Sequence, residues 1–354
     1  MQAFFGSYRT LFCLLSICRY EYFEETILLA NFTKPRLHQI SNISIDQPFQ
    51  SILIFTGDIM RIAHLVITYT NPLQTARMIR QMQHPDFDFY IHVDKKIDIS
   101  AHLFMARLPN VYLIKDRVNV IWAGYNTVEA TLRSVKEIFN TGRQYDYIHL
   151  MSGQDYPIKS AAAIHNFFLA NQGKEFLEFE HFDDWADESY PRIREYHLTN
   201  FRFPGRYYFQ WAMNKLLPAR KSPLAMEYYG SSMFWALSSN CLRHIIDLLE
   251  KNARFKRFMK FTWGSDEFIF QTLVLNSSYK KDVVNDNLLF LDRDKGASHP
   301  NILTVNHLQD LLRSPKLFAR KFDPARDTVV LDKLDESMVE PISLELEPRV
   351  AASA

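Results

Sequence analysis

The sequence has 354 residues and a formal net charge of +1, with 47% hydrophobic and 14% aromatic residues. This length and composition suit one large or two ordinary domains with a sizeable core, and the balanced charge excludes the global field typical of nucleic-acid and membrane-surface binders. Three cysteines occur, Cys13, Cys18 and Cys241, which argues against a disulfide framework and favours a reducing compartment.

Residues 1–59 differ in pattern from the rest of the chain. The apolar run from Leu11 to Cys18 is shorter than the roughly 20 residues that a membrane span needs, and no clear cleavage site follows it. Met60 leads directly into a predicted strand. We therefore interpret residues 1–59 as an extension that is not native or poorly ordered, with a membrane-anchoring N-terminus as the alternative, and residues 60–335 as the main domain.

Strands and helices alternate in the first half of that domain. The apolar periodicity predicts an α/β fold with a mainly parallel, Rossmann-like sheet flanked by helices. Asp94 and Asp155 follow the second and fourth strands, at the carboxyl edge where ligands bind in such sheets, and are candidate binding residues. The predicted strands are 62–68, 87–93, 111–114 and 145–151, and the predicted helices are 74–82, 126–139 and 161–171.

Residues 175–222 combine aromatic side chains with arginines and show no clean period. Aromatic rings beside polar groups suit sugar rings, so Trp185 and Tyr208 are candidate glycan contacts, as are Trp235 and Asp266 further along the chain. Single-stranded nucleic acid and an insertion packed by its own aromatics are the alternatives. Beyond this segment the pattern predicts strand 229–237, helix 240–252 and strand 282–291.

The stretch from Trp263 to Leu273 places a carboxylate pair between an aromatic run and an apolar one. Ser265 or Asp266 is a candidate N-cap, which puts Glu267 in the first turn of a mostly buried helix. A carboxylate at the rim of an apolar site can act as a general base. The alternative is an acidic first turn that complements the helix dipole.

Two consecutive cations, Arg320 and Lys321, lie between phenylalanines near the end of the domain. On that apolar anchor they can neutralise a phosphate, and a solvated basic turn is the alternative. Residues 336–354 are acidic and poor in aromatics, so we expect them to be disordered.

The sequence favours chemistry without a metal or other cofactor. Two triplets, Asp86-Phe-Asp88 and Asp292-Arg-Asp294, have a spacing found in divalent-cation sites. The first precedes a strand and is misplaced, whereas the second follows an apolar run and stays a candidate. No Walker loop, GxGxxG or GxSxG motif occurs, so ATP, dinucleotide and serine-hydrolase functions are unsupported.

Six stretches occur in the order found in one enzyme family. On these motifs, residues 60–325 resemble the core-2/I-branching β-1,6-N-acetylglucosaminyltransferases, which are grouped with the peptide O-xylosyltransferases. Each stretch is weak alone, but six in order are specific. They are His92-Val-Asp-Lys-Lys96, the Trp122 region, Ser152-Gly-Gln-Asp-Tyr-Pro-Ile-Lys159, Gly230-Ser-Ser-Met-Phe234, Ser265-Asp-Glu-Phe268 and Leu317-Phe-Ala-Arg-Lys-Phe-Asp323.

The resemblance implies a GT-A type fold and inverting, metal-independent transfer from UDP-N-acetylglucosamine or UDP-xylose to a glycan acceptor. It implies that Glu267 is the catalytic base, that Lys321 holds the UDP diphosphate and that Asp94 belongs to the nucleotide pocket. The full set of expected donor-binding residues is Asp94, Asp155, His299, Arg320 and Lys321.

The chain departs from the animal members of that family, which are Golgi membrane proteins with many disulfide cysteines. It resembles the bacterial, intracellular branch, which implies a cytoplasmic location, with peripheral membrane association as a further expectation. A second diphosphate-binding arginine of the animal enzymes has no clear match at Ala297-Ser-His-Pro300, where His299, Arg293 or Lys295 could substitute. A non-catalytic carbohydrate- or nucleotide-binding module is therefore the alternative function.

Overall fold

The computed structural model describes residues 60–294 and 299–338. The predicted extension 1–59, residues 295–298 and the predicted tail from residue 339 onward lie outside the described residues.

Ten strands form two sheets in the described part of the chain. The larger sheet has the spatial order β3-β2-β1-β4-β7-β6-β8, and the smaller has the order β5-β10-β9. The strands are β1 (Ile62–Thr68), β2 (Phe87–Val93), β3 (Val111–Leu113), β4 (Tyr147–Ser152), β5 (Asp155–Pro157), β6 (Glu175–His181), β7 (Tyr229–Ser238), β8 (Val283–Asn285), β9 (Leu289–Leu291) and β10 (Phe318–Arg320).

The larger sheet is mostly parallel, because β7 alone runs against its two neighbours, β4 and β6. Nearly every residue of β1 and β2 is buried, as expected where helices cover both faces of a sheet. The predicted α/β fold with a mainly parallel sheet flanked by helices is confirmed.

The helices begin and end where local chemistry favours it. In α2, Val128, Val135 and Ile138 are buried at helical spacing. Ser160 and Ser238 cap α3 and α6 by accepting hydrogen bonds from backbone amides of the first turn. The α-helices are α1 (Pro72–Gln81), α2 (Tyr125–Asn140), α3 (Ala161–Ala170), α4 (Ala186–Arg194), α5 (Arg206–Leu216), α6 (Ser239–Lys251), α7 (Ala253–Lys260), α8 (Ile269–Leu275), α9 (Leu308–Arg313) and α10 (Val329–Met338).

The sheet topology brings several chain segments to one edge. Strands β1, β2 and β4 are parallel and end there, whereas the antiparallel β7 begins there. Strand β5 follows β4 directly and pairs with β10, which sets Asp155 opposite Arg320. This carboxyl edge is where α/β sheets bind ligands.

Two predictions about local structure are wrong. The single strand predicted over 282–291 is two short strands in different sheets, because Leu288 has a positive φ of 62° that breaks the extended chain. The segment 175–222, which shows no clean period in the sequence and carries no predicted element, contains β6, α4 and α5. The predicted disordered tail begins too early, since α10 continues to Met338.

No α-helix within residues 60–294 and 299–338 is long and apolar enough to cross a membrane.

Candidate active site

Two side chains at the end of β2, those of His92 and Asp94, bind the backbone of the neighbouring segment 118–120. His92 Nε2 accepts a hydrogen bond from the Val118 amide at 3.0 Å, and Asp94 Oδ1 accepts one from the Val120 amide at 3.3 Å. Burial lowers the pKa of His92 to about 4, so the imidazole is neutral and its Nε2 can accept at neutral pH. The His-x-Asp spacing works because residues two apart in a strand face the same way.

Cations complete this region, which we call the β2 edge (residues 92–97 and 117–120). Arg117 donates to the carbonyls of Val93 and Asp94 at 2.9 Å. Lys96 Nζ lies 3.2 Å from Asp94 Oδ2, and the Lys96 amide donates to Asp94 Oδ1 at 3.0 Å. The Asp94 carboxylate is nearly buried and already hydrogen-bonded, so it shapes the β2 edge rather than presenting a free carboxylate.

Residues 121–124 connect the β2 edge to the segment that carries Glu267. The Gly264 amide donates to the Ala123 carbonyl at 2.8 Å. Trp122 is 64% exposed and meets Trp263 edge to face, with ring centroids 5.5 Å apart. His299, a predicted donor-binding residue, lies against the same ring at 5.8 Å, which places it at the mouth of the site.

Glu267 is held by an arginine that lies between two indole rings. Arg192 Nη1 donates to Glu267 Oε2 at 2.7 Å. The guanidinium lies 4.7 Å from the Trp185 ring centroid and 4.5 Å from that of Trp263, which are cation–π distances. The Arg192 side chain is 12% exposed, whereas that of Glu267 is 39% exposed. We call these four residues the Glu267 wall; it offers a fixed, solvent-accessible carboxylate.

Two glycines allow the Glu267 segment to approach β7 and α4. A Cβ on Gly230 would lie 2.7 Å from Phe268 Cβ and 3.1 Å from the Glu267 carbonyl oxygen. Gly264 has a positive φ of 63°, a conformation that glycine adopts without strain. The glycine in the Gly230-Ser-Ser-Met-Phe234 motif is thus explained by close backbone packing beside the candidate base.

The predicted position of Glu267 in the first turn of a helix is wrong. Residues Ser265–Glu267 form a separate 3-10 turn, and Phe268 has an extended φ of −146° before α8 begins at Ile269. Neither Ser265 nor Asp266 caps α8 with its side chain. The helix-dipole interpretation therefore loses its basis, because Glu267 lies outside the helix.

Asp266 is the less solvated member of the carboxylate pair. Burial, followed by repulsion from Glu267, raises the pKa of Asp266 to about 7. Its Oδ1 is buried without a hydrogen-bond partner among the described residues. Such a carboxyl group is half protonated near neutral pH and sits directly beside the candidate base.

The predicted donor residues Asp155 and Arg320 contact each other. Arg320 Nε lies 3.3 Å from Asp155 Oδ1, and Arg320 Nη2 donates to Ser152 Oγ at 3.2 Å. The guanidinium also lies 4.1 Å from the Phe234 ring centroid. Both side chains are largely buried, and donor binding by Arg320 and Asp155 stays a prediction. The pair holds β10 against the end of β4.

Lys321 follows this buried pair and is half-buried. Its carbonyl accepts from the Leu303 amide at 2.9 Å. Among the described residues, no carboxylate lies within ion-pair distance of its ammonium group. Lys321 is therefore the cation of the Arg-Lys pair that can meet an anionic ligand.

The four candidate glycan contacts fall in different environments. Trp235 is fully buried on β7, 4.9 Å from the Phe270 ring, so its predicted role in acceptor binding is wrong. Trp185 belongs to the Glu267 wall, and Asp266 adjoins Glu267 in the chain. Tyr208 lies on α5, 71% exposed and beside Trp211, with no contact to the wall.

Both Asp-x-Asp triplets have protein partners. Asp88 is buried and paired with Arg61 and Arg143, and Asp292 accepts from Asn301 and lies 3.4 Å from His307. The closest group of metal-ligand types among the described residues is His84, Asp86 and His165, with ligand atoms within 4.8 Å of one another. It adjoins the amino end of β2, opposite the edge that carries Glu267.

Sequence reasoning missed Arg192, Trp263 and Trp122 as individual site residues. Arg192 was recognisable only as one of several arginines among aromatics, because its partner Glu267 is 75 positions away. Nothing local in the sequence distinguishes it from Arg194, which lies over Tyr190 instead.

Comparison with known proteins identifies relatives of three transferase types. Xylosyltransferase oxt of Drosophila pseudoobscura pseudoobscura is 24% identical over 310 residues, which cover 81% of this chain and 34% of that one. The human beta-1,3-galactosyl-O-glycosyl-glycoprotein beta-1,6-N-acetylglucosaminyltransferase is 23% identical, covering 78% of this chain and 69% of that one. Beta-glucuronosyltransferase GlcAT14B of Arabidopsis thaliana is 25% identical, covering 74% and 62%.

The chain spans about a third of the length of the xylosyltransferases it matches. The family model described as Core-2/I-Branching enzyme matches residues 62–312, which include the β2 edge, the Glu267 wall and most of both sheets. The predicted resemblance is thus confirmed over most of the described residues. This chain belongs to the core-2/I-branching enzyme family.

Proposed function

We propose that the protein is an inverting glycosyltransferase that moves a sugar from a UDP-sugar to a glycan hydroxyl. The observation that carries the proposal is the Glu267 carboxylate, which is solvent-accessible, fixed by Arg192 at 2.7 Å and set at the carboxyl edge of a family-matched α/β sheet. A general base for glycosyl transfer needs this combination of access and fixed orientation.

In the proposed reaction, Glu267 removes the proton from the acceptor hydroxyl. The acceptor oxygen forms a bond to the anomeric carbon from the face opposite the nucleotide. The bond between that carbon and the phosphate oxygen breaks, and its electron pair leaves with UDP. Lys321 stabilises the charge that develops on the departing diphosphate. Glu267 keeps the proton of the acceptor hydroxyl until solvent removes it.

Asp94 supports donor binding indirectly in this proposal. Its carboxylate holds the Val120 amide and Lys96, and so fixes the β2 edge against which the nucleotide lies. We further propose that the reaction is metal-independent, and the protein partners of Asp88 and Asp292, one carboxylate in each Asp-x-Asp triplet, support this. The cytoplasmic location stays a prediction.

The donor sugar is the open part of the proposal. N-acetylglucosamine and xylose follow from the family resemblance, and the glucuronosyltransferase relative adds a third sugar. We propose N-acetylglucosamine as the first candidate donor.

The test is UDP release from UDP-N-acetylglucosamine, UDP-xylose and UDP-glucuronic acid, with and without EDTA. We expect one donor to release UDP in EDTA, and Glu267→Gln to lower the rate by at least about a hundredfold. Glu188→Gln is the matched control, because Glu188 is an exposed glutamate on α4. Equal rates in Glu267→Gln and wild type would remove Glu267 as the base.

Two other outcomes would redirect the proposal. Release that EDTA abolishes would contradict metal independence. UDP binding without turnover of any donor, even with a panel of glycan acceptors, would favour the non-catalytic binding module.

A further inference from the structure

Helix α5 is an unusual surface element because none of its residues is buried. A surface helix ordinarily packs an apolar face inward and presents polar groups to solvent. Two residues with amide side chains, Gln210 and Asn214, attach α5 to residues 196–198 instead. Gln210 Oε1 accepts from the Leu198 amide at 2.9 Å, and Asn214 Oδ1 accepts from the Tyr196 amide at 2.7 Å.

Large apolar side chains are exposed on α5 and its flanking residues. They are Phe201, Phe203, Tyr207, Tyr208, Phe209, Trp211, Leu216 and Leu217, with exposures from 38% to 82%. We call these eight residues the aromatic surface. Two pairs of these rings adjoin, Phe203 with Phe209 and Tyr208 with Trp211, with centroids 5.8 Å and 5.9 Å apart. A concentration of exposed apolar side chains of this kind marks an interaction site in a folded protein.

The charged residues of the segment that carries the aromatic surface have one sign. No aspartate or glutamate occurs between Glu195 and Glu227. Arg202 and Lys215 are exposed beside the rings, and the Arg206 guanidinium lies 4.6 Å from the Tyr207 ring centroid. The partner that matches this surface is therefore apolar and anionic.

We propose that the aromatic surface binds the face of a membrane that contains anionic phospholipid. Tyrosine and tryptophan favour the boundary between headgroups and acyl chains, where a ring can be apolar at one end and hydrated at the other. Arginine and lysine in the same segment attract anionic headgroups. A helix that presents apolar side chains together with cations can lie in the plane of the interface.

A glycan fits this surface less well. Sugar hydroxyls need carboxylate or amide partners, and the segment contains no carboxylate, while Gln210 and Asn214 are engaged with the loop beneath. Sugars also gain little from Leu216, which is 82% exposed. This proposal replaces the acceptor-binding role predicted for Tyr208.

The test is co-sedimentation of the full chain with vesicles of phosphatidylcholine alone or mixed with phosphatidylglycerol. We expect the wild type to bind the mixed vesicles at least about tenfold more tightly, and less tightly as salt is raised. The triple variant Tyr207→Ser, Trp211→Ser, Leu216→Ser should lose at least about tenfold in binding. The double variant Arg202→Gln, Lys215→Gln should lose about tenfold on mixed vesicles only.

The matched control is Leu103→Ser with Arg254→Gln, which removes an exposed leucine and an exposed cation elsewhere on the surface. Since none of α5 is buried, all variants should keep the wild-type melting temperature and affinity for UDP. Equal vesicle binding by the triple variant and wild type would overturn the proposal, as residues 1–59 would then be the anchor. Absence of binding to any vesicle, or loss of binding to glycans or oligonucleotides in the triple variant instead, would also overturn it.

Discussion

The β2 edge and the Glu267 wall lie at the same edge of the sheet but are built by different kinds of contact. In the β2 edge, the side chains of His92, Asp94 and Arg117 bond to backbone amides and carbonyls. In the Glu267 wall, Arg192 bonds to a carboxylate and lies between two rings. The first arrangement depends on a short local motif, whereas the second depends on side chains that are distant in sequence.

This difference predicts different consequences of mutation. A change in the β2 edge shifts a backbone segment and should alter binding of the nucleotide. A change in the Glu267 wall frees one carboxylate and should alter the chemical step while binding is kept.

The largest effect in this comparison is expected for Arg192→Met. Loss of the guanidinium frees the Glu267 rotamer, and misplacement of a catalytic group by about 1 Å can cost a hundredfold in rate. We expect kcat to fall about a hundredfold with the Kd for UDP unchanged, measured by UDP release and calorimetry. The control is Arg194→Met, which removes an arginine from the same helix; an equal loss there would mean that the effect is structural.

A smaller effect is expected for Asp94→Asn. The asparagine side chain has one acceptor oxygen, so it cannot contact Lys96 Nζ and the Val120 backbone amide with separate oxygens as the carboxylate does. Loss of a charge-assisted hydrogen bond costs about 1.5–3 kcal/mol. We expect the Kd for UDP to rise at least about tenfold, with kcat at saturating donor close to wild type. Asp98→Asn is the control on the same loop. If Asp94→Asn kept the wild-type Kd for UDP but had a lower kcat, a change in the β2 edge would act like a change in the Glu267 wall. The proposed difference between the two regions would then be wrong.

The smallest effect concerns the pH dependence of stability through Asp266. Its folded pKa of about 7 lies above the ordinary value of 3.8, so the folded state binds more protons than the unfolded state between these values. The contribution of Asp266 to stability is therefore greatest below about pH 4 and is lost as pH rises through 7. Asp266→Asn should flatten this dependence and raise the free energy of unfolding at pH 8 by up to about 2 kcal/mol.

Glu175 is a second buried carboxylate with a raised pKa, and its substitution should change the free energy of unfolding in the opposite direction to that of Asp266. Burial also raises its pKa to about 7, but its oxygens accept from the Ser238 amide at 2.7 Å and from the Ser238 hydroxyl. Glu175→Gln should therefore lower stability, because one buried donor loses its acceptor. Denaturant unfolding at pH 5 and pH 8 measures both variants; the same pH slope in wild type and Asp266→Asn would contradict the Asp266 prediction.

The parallel half of the sheet was predictable because its signals are local. Strands β1 and β2 are mostly apolar, and their predicted limits, 62–68 and 87–93, match the structure. Strand β6 was missed because its sequence, Glu-Phe-Leu-Glu-Phe-Glu-His, carries charged residues that the sheet accommodates through long-range partners, such as Ser238 for Glu175.

The candidate site could be predicted only in part. Motifs point to Glu267, Asp94 and Lys321, whose roles stay predictions, whereas the contact between Arg320 and Asp155 could not be foreseen because it depends on the pairing of β5 with β10. Trp235 was misjudged because aromatic residues suit both cores and sugar sites, and only the packing against Phe270 decides between them.

The hydrogen bond between the Gly264 amide and the Ala123 carbonyl has a consequence for the order of events during turnover. Residues 121–124 follow the β2 edge directly in the chain and contact the segment that carries Glu267. A nucleotide that rigidifies the β2 edge would therefore also restrain the candidate base before the acceptor arrives. Hydrogen exchange would detect this as slower exchange of the Gly264 amide when UDP is added, and kinetics would show it as compulsory binding of the donor before the acceptor.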